Sequence, residues 1–164
     1  MFSLGILTIS TSGSLGQRVD TSGRVIRDIL VEAGYHLRCY EVVSDEQQVI
    51  KNRFKKWVDL ERLDLIVSTG GTGLGVRDVT PEACLEVVDR LVPGLAEAMR
   101  AQTLKNTPMA MLSRSMAGTR GRSLIITLPG SPKAVRECLE VIMPVLPHAL
   151  DILQGKNEGH PTNP

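Results

Sequence analysis

Apolar residues recur along this chain in two modes, short continuous runs and longer stripes at helical spacing. Residues 4–9 (LGILTI), 64–69 (DLIVST) and 123–128 (SLIITL) are short runs rich in branched side chains, the pattern of strands buried on both faces. Residues 36–43 (HLRCYEVV) alternate and read as another strand. Between them lie helical stripes. Val25, Ile26, Ile29 and Leu30 share a face over Ser22 to Ala33, with Gly34 placed to stop the helix. Val49, Ile50, Phe54, Trp57 and Val58 form a second stripe, for which Ser44 is the expected cap.

Thr80-Pro81-Glu82 combines a hydroxyl cap, a proline at the first helical position and an acid in the first turn, so a helix starts there. Pro93-Gly94 is expected to break it, and a further helix reaches about Leu104. Residues 106–122 have no clear period, but Gly118 and Gly121 suggest a turn between two short strands. Pro129-Gly130-Ser131-Pro132 is a turn followed by a capped helix, and a last helix follows Pro144. The expectation is one ordered domain over 1–154 and a disordered polar tail over 155–164. Strands alternating with helices predict a three-layer α/β/α domain around a mostly parallel sheet.

A chain of 164 residues fits one such domain and buries a sizeable core without staples. The formal net charge of +1 argues against nucleic-acid and membrane-surface partners. Cys39, Cys84 and Cys138 form no C-x-x-C pair, and each sits in a core-like stretch, so they are expected as small buried hydrophobes. The first residues, MFSLG, carry no basic region, and no apolar run approaches a bilayer's thickness, so the expected location is the cytoplasm. Trp57 belongs to a helical stripe and reads as core; His36, His148 and His160 share no ligand spacing.

In an open parallel sheet, ligands bind beyond the carboxyl ends of the strands. Ser10–Gly13, Ser44-Asp45, Gly70–Asp78 and Pro129–Lys133 all fall there, which predicts one shared cleft. Ser10 to Gly16 is expected as an irregular polar loop. Gly70-Gly71-Thr72-Gly73 follows a strand directly, and consecutive exposed N–H groups cradle anions. It is neither a P-loop, since no Gly-Lys-Ser/Thr occurs, nor a dinucleotide fingerprint, since Val76 stands where the third glycine belongs. Asp78 either caps locally or holds Mg²⁺, and Asp45 has the same two readings. Ser131 caps the following helix, whose N-terminus can also take a phosphate beside Lys133. Arg77, Arg114, Arg120 and Arg122 are candidate anion clamps.

Two blocks resemble a known family. Ser68-Thr69-Gly70-Gly71-Thr72-Gly73 with Arg77-Asp78-Val79-Thr80-Pro81-Glu82-Ala83 is similar to the signature of the MoaB/Mog proteins of molybdenum-cofactor biosynthesis. Leu112-Ser113-Arg114, Ala117-Gly118-Thr119-Arg120-Gly121 and Leu128-Pro129-Gly130-Ser131-Pro132 resemble its second block, and the likeness spans Ile6 to about Leu153. It implies an antiparallel sheet edge, a homotrimer, and Mg²⁺-dependent transfer of AMP from ATP to molybdopterin, ahead of a molybdate-inserting enzyme. Molybdenum and tungsten are both open as the final metal. The family's two essential acids fall on Asp45 and Asp78, as catalytic and metal-holding residues. ATP and the pterin phosphate are expected against Ser10, Thr11, Gly70, Gly71, Thr72, Gly73, Ser113, Pro129, Gly130 and Ser131. Many members carry Ser-Asp after the first strand, where this chain has Ser10-Thr11. A pterin-binding carrier or scaffold that has lost turnover is the alternative.

Overall fold

Three parallel strands form the centre of the molecule because their apolar runs are covered on both sides, and a fourth, more exposed, lies at the sheet edge. The computed structural model describes residues 1–156. β1 (Ser3–Ile9), β2 (His36–Val43), β3 (Leu65–Thr69) and β6 (Ser123–Leu128) run parallel. β5 (Ala117–Arg120) pairs antiparallel with β6, and β4 (Arg90–Leu91) antiparallel with β5, so the order is β2-β1-β3-β6-β5-β4. The three-layer arrangement and the antiparallel edge are as expected. Register is set by the period-two alternation of buried side chains: Ile6 lies beside Val67, and Val67 beside Ile126.

Leu4, Ile6, Leu65, Val67, Leu124 and Ile126 face one core, closed by α2 (Ser22–Glu32), α6 (Pro132–Ile142) and α7 (Leu146–Leu153). Leu7, Ile66 and Ile125 face the other, closed by α3 (Gln47–Asp59) and α4 (Thr80–Leu85). Trp57 is only 1% exposed, as its helical spacing predicts. It reaches the sheet because Gly5 has no side chain: a Cβ there would lie 2.8 Å from the indole. Cys84 and Cys138 are buried, which pushes their thiols up to about 12 and about 11, so both stay protonated packing groups at neutral pH. Cys39 is only half-buried, at odds with the core role expected of it.

Several local expectations are corrected. Ser10–Gly16 is not irregular throughout: Ser10 Oγ accepts from Gly13 N–H and nucleates a one-turn helix, α1 (Thr11–Ser14). Ser44 does not cap α3; its hydroxyl bonds Glu46, and the helix starts at Gln47. Thr80 is not a cap either, since its hydroxyl donates to the Gly70 carbonyl at 2.9 Å. α4 ends at Leu85, well before Pro93, because Asp89 N–H bonds Thr119 O and the chain joins the sheet as β4. Pro93 instead opens α5 (Pro93–Leu104). Within 106–122, a 3-10 turn over Pro108–Leu112 precedes β5, and Gly121 turns the chain at φ +55° into β6. Gly155 and Lys156 bond back to α7 residues, and the rest of the tail expectation lies outside the described residues. Among the described residues no helix is long and apolar enough to cross a membrane.

Candidate functional site

The loops after β1, β2, β3 and β6 meet at one rim, the carboxyl end of the parallel strands. Gly70 and Gly71 take positive φ, +96° and +69°, which lets the chain leave β3 sharply. A Cβ on Gly70 would collide with the Ile9 carbonyl. Gly70 N–H reaches Leu128 O at 3.2 Å, and Thr69 Oγ1 donates to Pro129 O at 2.7 Å, tying the β3 and β6 loops together. The N–H groups of Gly71, Thr72 and Gly73 make no hydrogen bond among the described residues. They border a cleft of about 440 Å³ together with Asp78, Ser113, Pro129 and Gly130.

Arg114 holds that loop in shape. Its N–H bonds Thr72 O at 2.8 Å, its Nε Gly73 O at 2.8 Å, and one Nη Asp78 O at 2.6 Å; the other Nη pairs with Glu82. The guanidinium holds the Glu82 carboxyl below its ordinary range. Arg114 is thus a buckle on the loop's carbonyls rather than an anion clamp. Arg120 is likewise engaged, forked onto Asp59 at 2.9 and 3.0 Å. Arg77 and Arg122 are exposed, with no carboxylate partner among the described residues.

Asp78 and Asp45 both stand at this rim, each held by one oxygen. Asp78 Oδ2 accepts from Gly75 N–H at 2.9 Å. Asp45 Oδ2 accepts from Thr11 N–H at 2.9 Å and Thr11 Oγ1 at 3.0 Å, and Asp45 N–H returns a bond to Thr11 Oγ1. Thr11 is therefore a holder of Asp45, binding the β1 loop to the β2 loop. Asp78 borders the cleft, whereas Asp45 borders none of the cavities at this rim. Neither Oδ1 has a hydrogen-bond donor among the described residues. No group of three or more His, Cys, Asp or Glu side chains among the described residues is placed to hold a metal. The free Oδ1 of Asp78, the carboxylate that borders the cleft, fits Mg²⁺, which takes one or two carboxylates and completes its shell with water and phosphate.

Ser131 caps α6 as expected, accepting from Ala134 N–H at 3.1 Å, and Ser113 Oγ lies 3.1 Å from Ser115 Oγ. Lys133 extends along α6 towards Glu137, 4.0 Å away, an exposed pair of little energetic weight. An apolar cavity of about 200 Å³ between α5 and α6 opens beside the cleft and shares Ser113 and Pro129 with it. Sequence reasoning missed a further element, Asp20. Its carboxylate accepts from Thr8 Oγ1 at 2.8 Å, from Gly23 N–H at 2.9 Å and from the Tyr40 hydroxyl, and it borders a small polar cavity next to Ser10. Burial and the Asp20 carboxylate together push the Tyr40 phenol well above its ordinary value. The signal that could have found it was Asp20 standing three residues before Gly23 at a helix start.

Comparison with known proteins agrees with this geometry. Residues 5–148 match the family described as "probable molybdopterin binding domain". A protein named molybdopterin adenylyltransferase from Helicobacter pylori strain J99 is 43% identical over 157 residues, spanning 93% of this chain and 88% of its own. Gephyrin of Dictyostelium discoideum is 41% identical over 163 residues, 93% of this chain but 23% of its own length. The crystal structure of the molybdopterin biosynthesis enzyme MoaB from Thermus thermophilus matches with a TM-score of 0.89 at 54% identity, covering 97% of this chain and 100% of that one. With the glycine run, Asp78 and the Pro129–Ser131 turn converging on one rim, the chain belongs to the molybdopterin-binding MoaB/Mog family.

Proposed function

We propose that this chain is a molybdopterin adenylyltransferase, moving AMP from ATP onto the terminal phosphate of molybdopterin with release of pyrophosphate. A phosphate oxygen of the pterin substrate attacks the α-phosphorus of ATP, and the bond from that phosphorus to the bridging oxygen of pyrophosphate breaks. No protein nucleophile is required. Two anions have to be brought into contact, so the protein's task is positioning and charge compensation.

The observation that carries this reading is the row of unengaged N–H groups at Gly71–Gly73 facing Gly130 across a cleft that also holds Asp78. Those donors are preset by positive φ at Gly70 and Gly71 and by the Arg114 buckle, so they need no reorganisation when a phosphate arrives. The α6 N-terminus adds a favourable field beside Gly130 and Ser131. Asp45 and Asp78 are the residues that would hold Mg²⁺. Bound there, the ion would offset phosphate charge. The same reading includes a homotrimer and delivery of the product to a molybdate-inserting enzyme.

The test is pyrophosphate release from ATP and Mg²⁺, with and without molybdopterin. Release that depends on molybdopterin is expected. Tight pterin binding without release would make the chain a carrier. Thr11 bears on this alternative, because its hydroxyl occupies one oxygen of Asp45.

A further inference from the structure

The helices that begin at the carboxyl rim carry opposite charges on its two sides. A helix N-terminus bears partial positive charge, so an acid in the first turn stabilises the helix and a cation there destabilises it. α4 follows this rule with Glu82 in its first turn, and Glu46 stands immediately before α3. α2 and α6 break it. Neither has an acid in its first turn, and both place a cation there, Arg24 as the third residue of α2 and Lys133 as the second of α6. Arg136 follows about one turn later. The two helices pack against each other. α2 starts at a cavity beside Gly70 and Gly130 that Arg18 also borders, and α6 starts directly after Ser131.

Arg18, Arg24, Lys133 and Arg136 are all exposed. Among the described residues only Lys133 has a carboxylate partner, Glu137 at 4.0 Å. Arg27, further along α2, is by contrast taken up by Asp28. Glu32 stands at the far end of α2 and Glu140 in the third turn of α6. The net charge of the whole chain is only +1, so the gathering of cations here is a segregation of sign rather than a general excess. These side chains sit against the helix fields and gain little from ion pairs, so the stability of the fold does not account for them.

Resting on the adenylyl-transfer reading, we propose that these four side chains form a basic shoulder that draws a polyphosphate nucleotide to the rim through solvent. Arg24 and Arg136 border none of the cavities at the rim, so they act through their field and not by contact. Charge on one wall of a cleft raises the rate of encounter with an oppositely charged ligand, and salt weakens the effect. Asp45 and Glu46, on the α3 side, repel the same anion, so it approaches over α2 and α6.

The test is the association rate of a ribose-labelled fluorescent ATP with Mg²⁺, followed by stopped flow without molybdopterin. At an ionic strength of about 0.1 M, where charges are screened over about 10 Å, R24E/R136E is expected to associate about threefold or more slowly than wild type, with little change in dissociation rate. The gap should close at about 1 M salt, where the screening length is about 3 Å. R24Q/R136Q should show a smaller slowing in the same direction. R62E/R122E makes the same change of charge at the other end of the sheet, the length of β6 or about 20 Å away, and should associate at the wild-type rate. R24E alone should melt no lower than wild type, because it puts an acid where the helix favours one. Slowing of R24E/R136E below about threefold, slowing that persists at about 1 M salt, equal slowing in R62E/R122E, or a lower melting temperature for R24E overturns the shoulder. Failure of pyrophosphate release while association keeps the expected pattern would sink the transfer reading alone.

Discussion

The two ends of the parallel sheet are built from similar residues and treat them in opposite ways. At the amino end, Asp64 accepts from Ser3 N–H at 2.7 Å, Ser3 Oγ at 2.8 Å and Gln154 Nε2 at 2.7 Å. Ser123 Oγ donates to Leu63 O at 2.5 Å, and Asp59 takes the fork of Arg120. A cavity of about 550 Å³ lies there, larger than any described at the carboxyl rim; Asp64, Ser123 and Gln154 in its lining are paired, whereas the Arg62 and Arg122 side chains are not among the described residues. At the carboxyl end, the N–H groups of Gly71, Thr72 and Gly73 are left open among the described residues and border a smaller space. Volume alone would select the wrong end. Backbone N–H groups fixed in place without partners select the right one, because rigid amides left unpaired are completed by water or a ligand, whereas unpaired arginine side chains are free to turn into solvent.

Paired substitutions sharpen this contrast. Asp78→Asn keeps an acceptor for Gly75 N–H but loses the charge, so turnover should fall about 10²–10³-fold, about 3–4 kcal/mol of barrier, with unfolding midpoint little changed. Asp64→Asn should do the reverse, costing about 1–3 kcal/mol of stability in urea titration while kcat stays near wild type. Equal effects of both on turnover would erase the distinction between the ends.

Next in size are two glycines at positive φ. Gly70→Ala meets the Ile9 carbonyl as well as the left-handed penalty, and should cost about 2–4 kcal/mol by denaturant unfolding. Gly121→Ala, at φ +55° with open space around it, should cost only about 1–2 kcal/mol. The smallest effect concerns the Arg114 buckle. The folded-state pKa of Glu82 lies below its unfolded value, so its contribution is present above the unfolded pKa and is lost as pH falls through the lower folded pKa. Both side chains are about a third or more exposed, which limits this to about 1 kcal/mol or less. In Glu82→Gln, the drop in melting temperature below about pH 4.5 should be correspondingly shallower than in wild type.

Much of this was legible in the sequence where the information is local. Residues 36–43 and 123–128 are strands with the boundaries that their apolar patterns indicate, and Ser131 caps α6 from within its own turn. The glycine run after β3 also announced a rim loop. What escaped was set by distant partners. The end of α4 depends on Asp89 finding Thr119, thirty residues on, which no local period encodes. Ser44 looked like a cap from its position before the helical stripe, but its hydroxyl bonds Glu46 while Asp45 is held by Thr11 from another loop, and Asp20 gains its role only when Thr8 and Tyr40 arrive from adjacent strands. Arg114 read as an anion clamp by residue type; only its four bonds to the glycine loop and Glu82 make it a buckle.

A crystal of the protein soaked with ATP and Mg²⁺ tests the central claim most directly. Phosphate density against the Gly71–Gly73 amides, with the ion beside Asp78, is the predicted result. Density in the larger cavity beside Arg62 and Arg122, with the carboxyl rim empty, would contradict it.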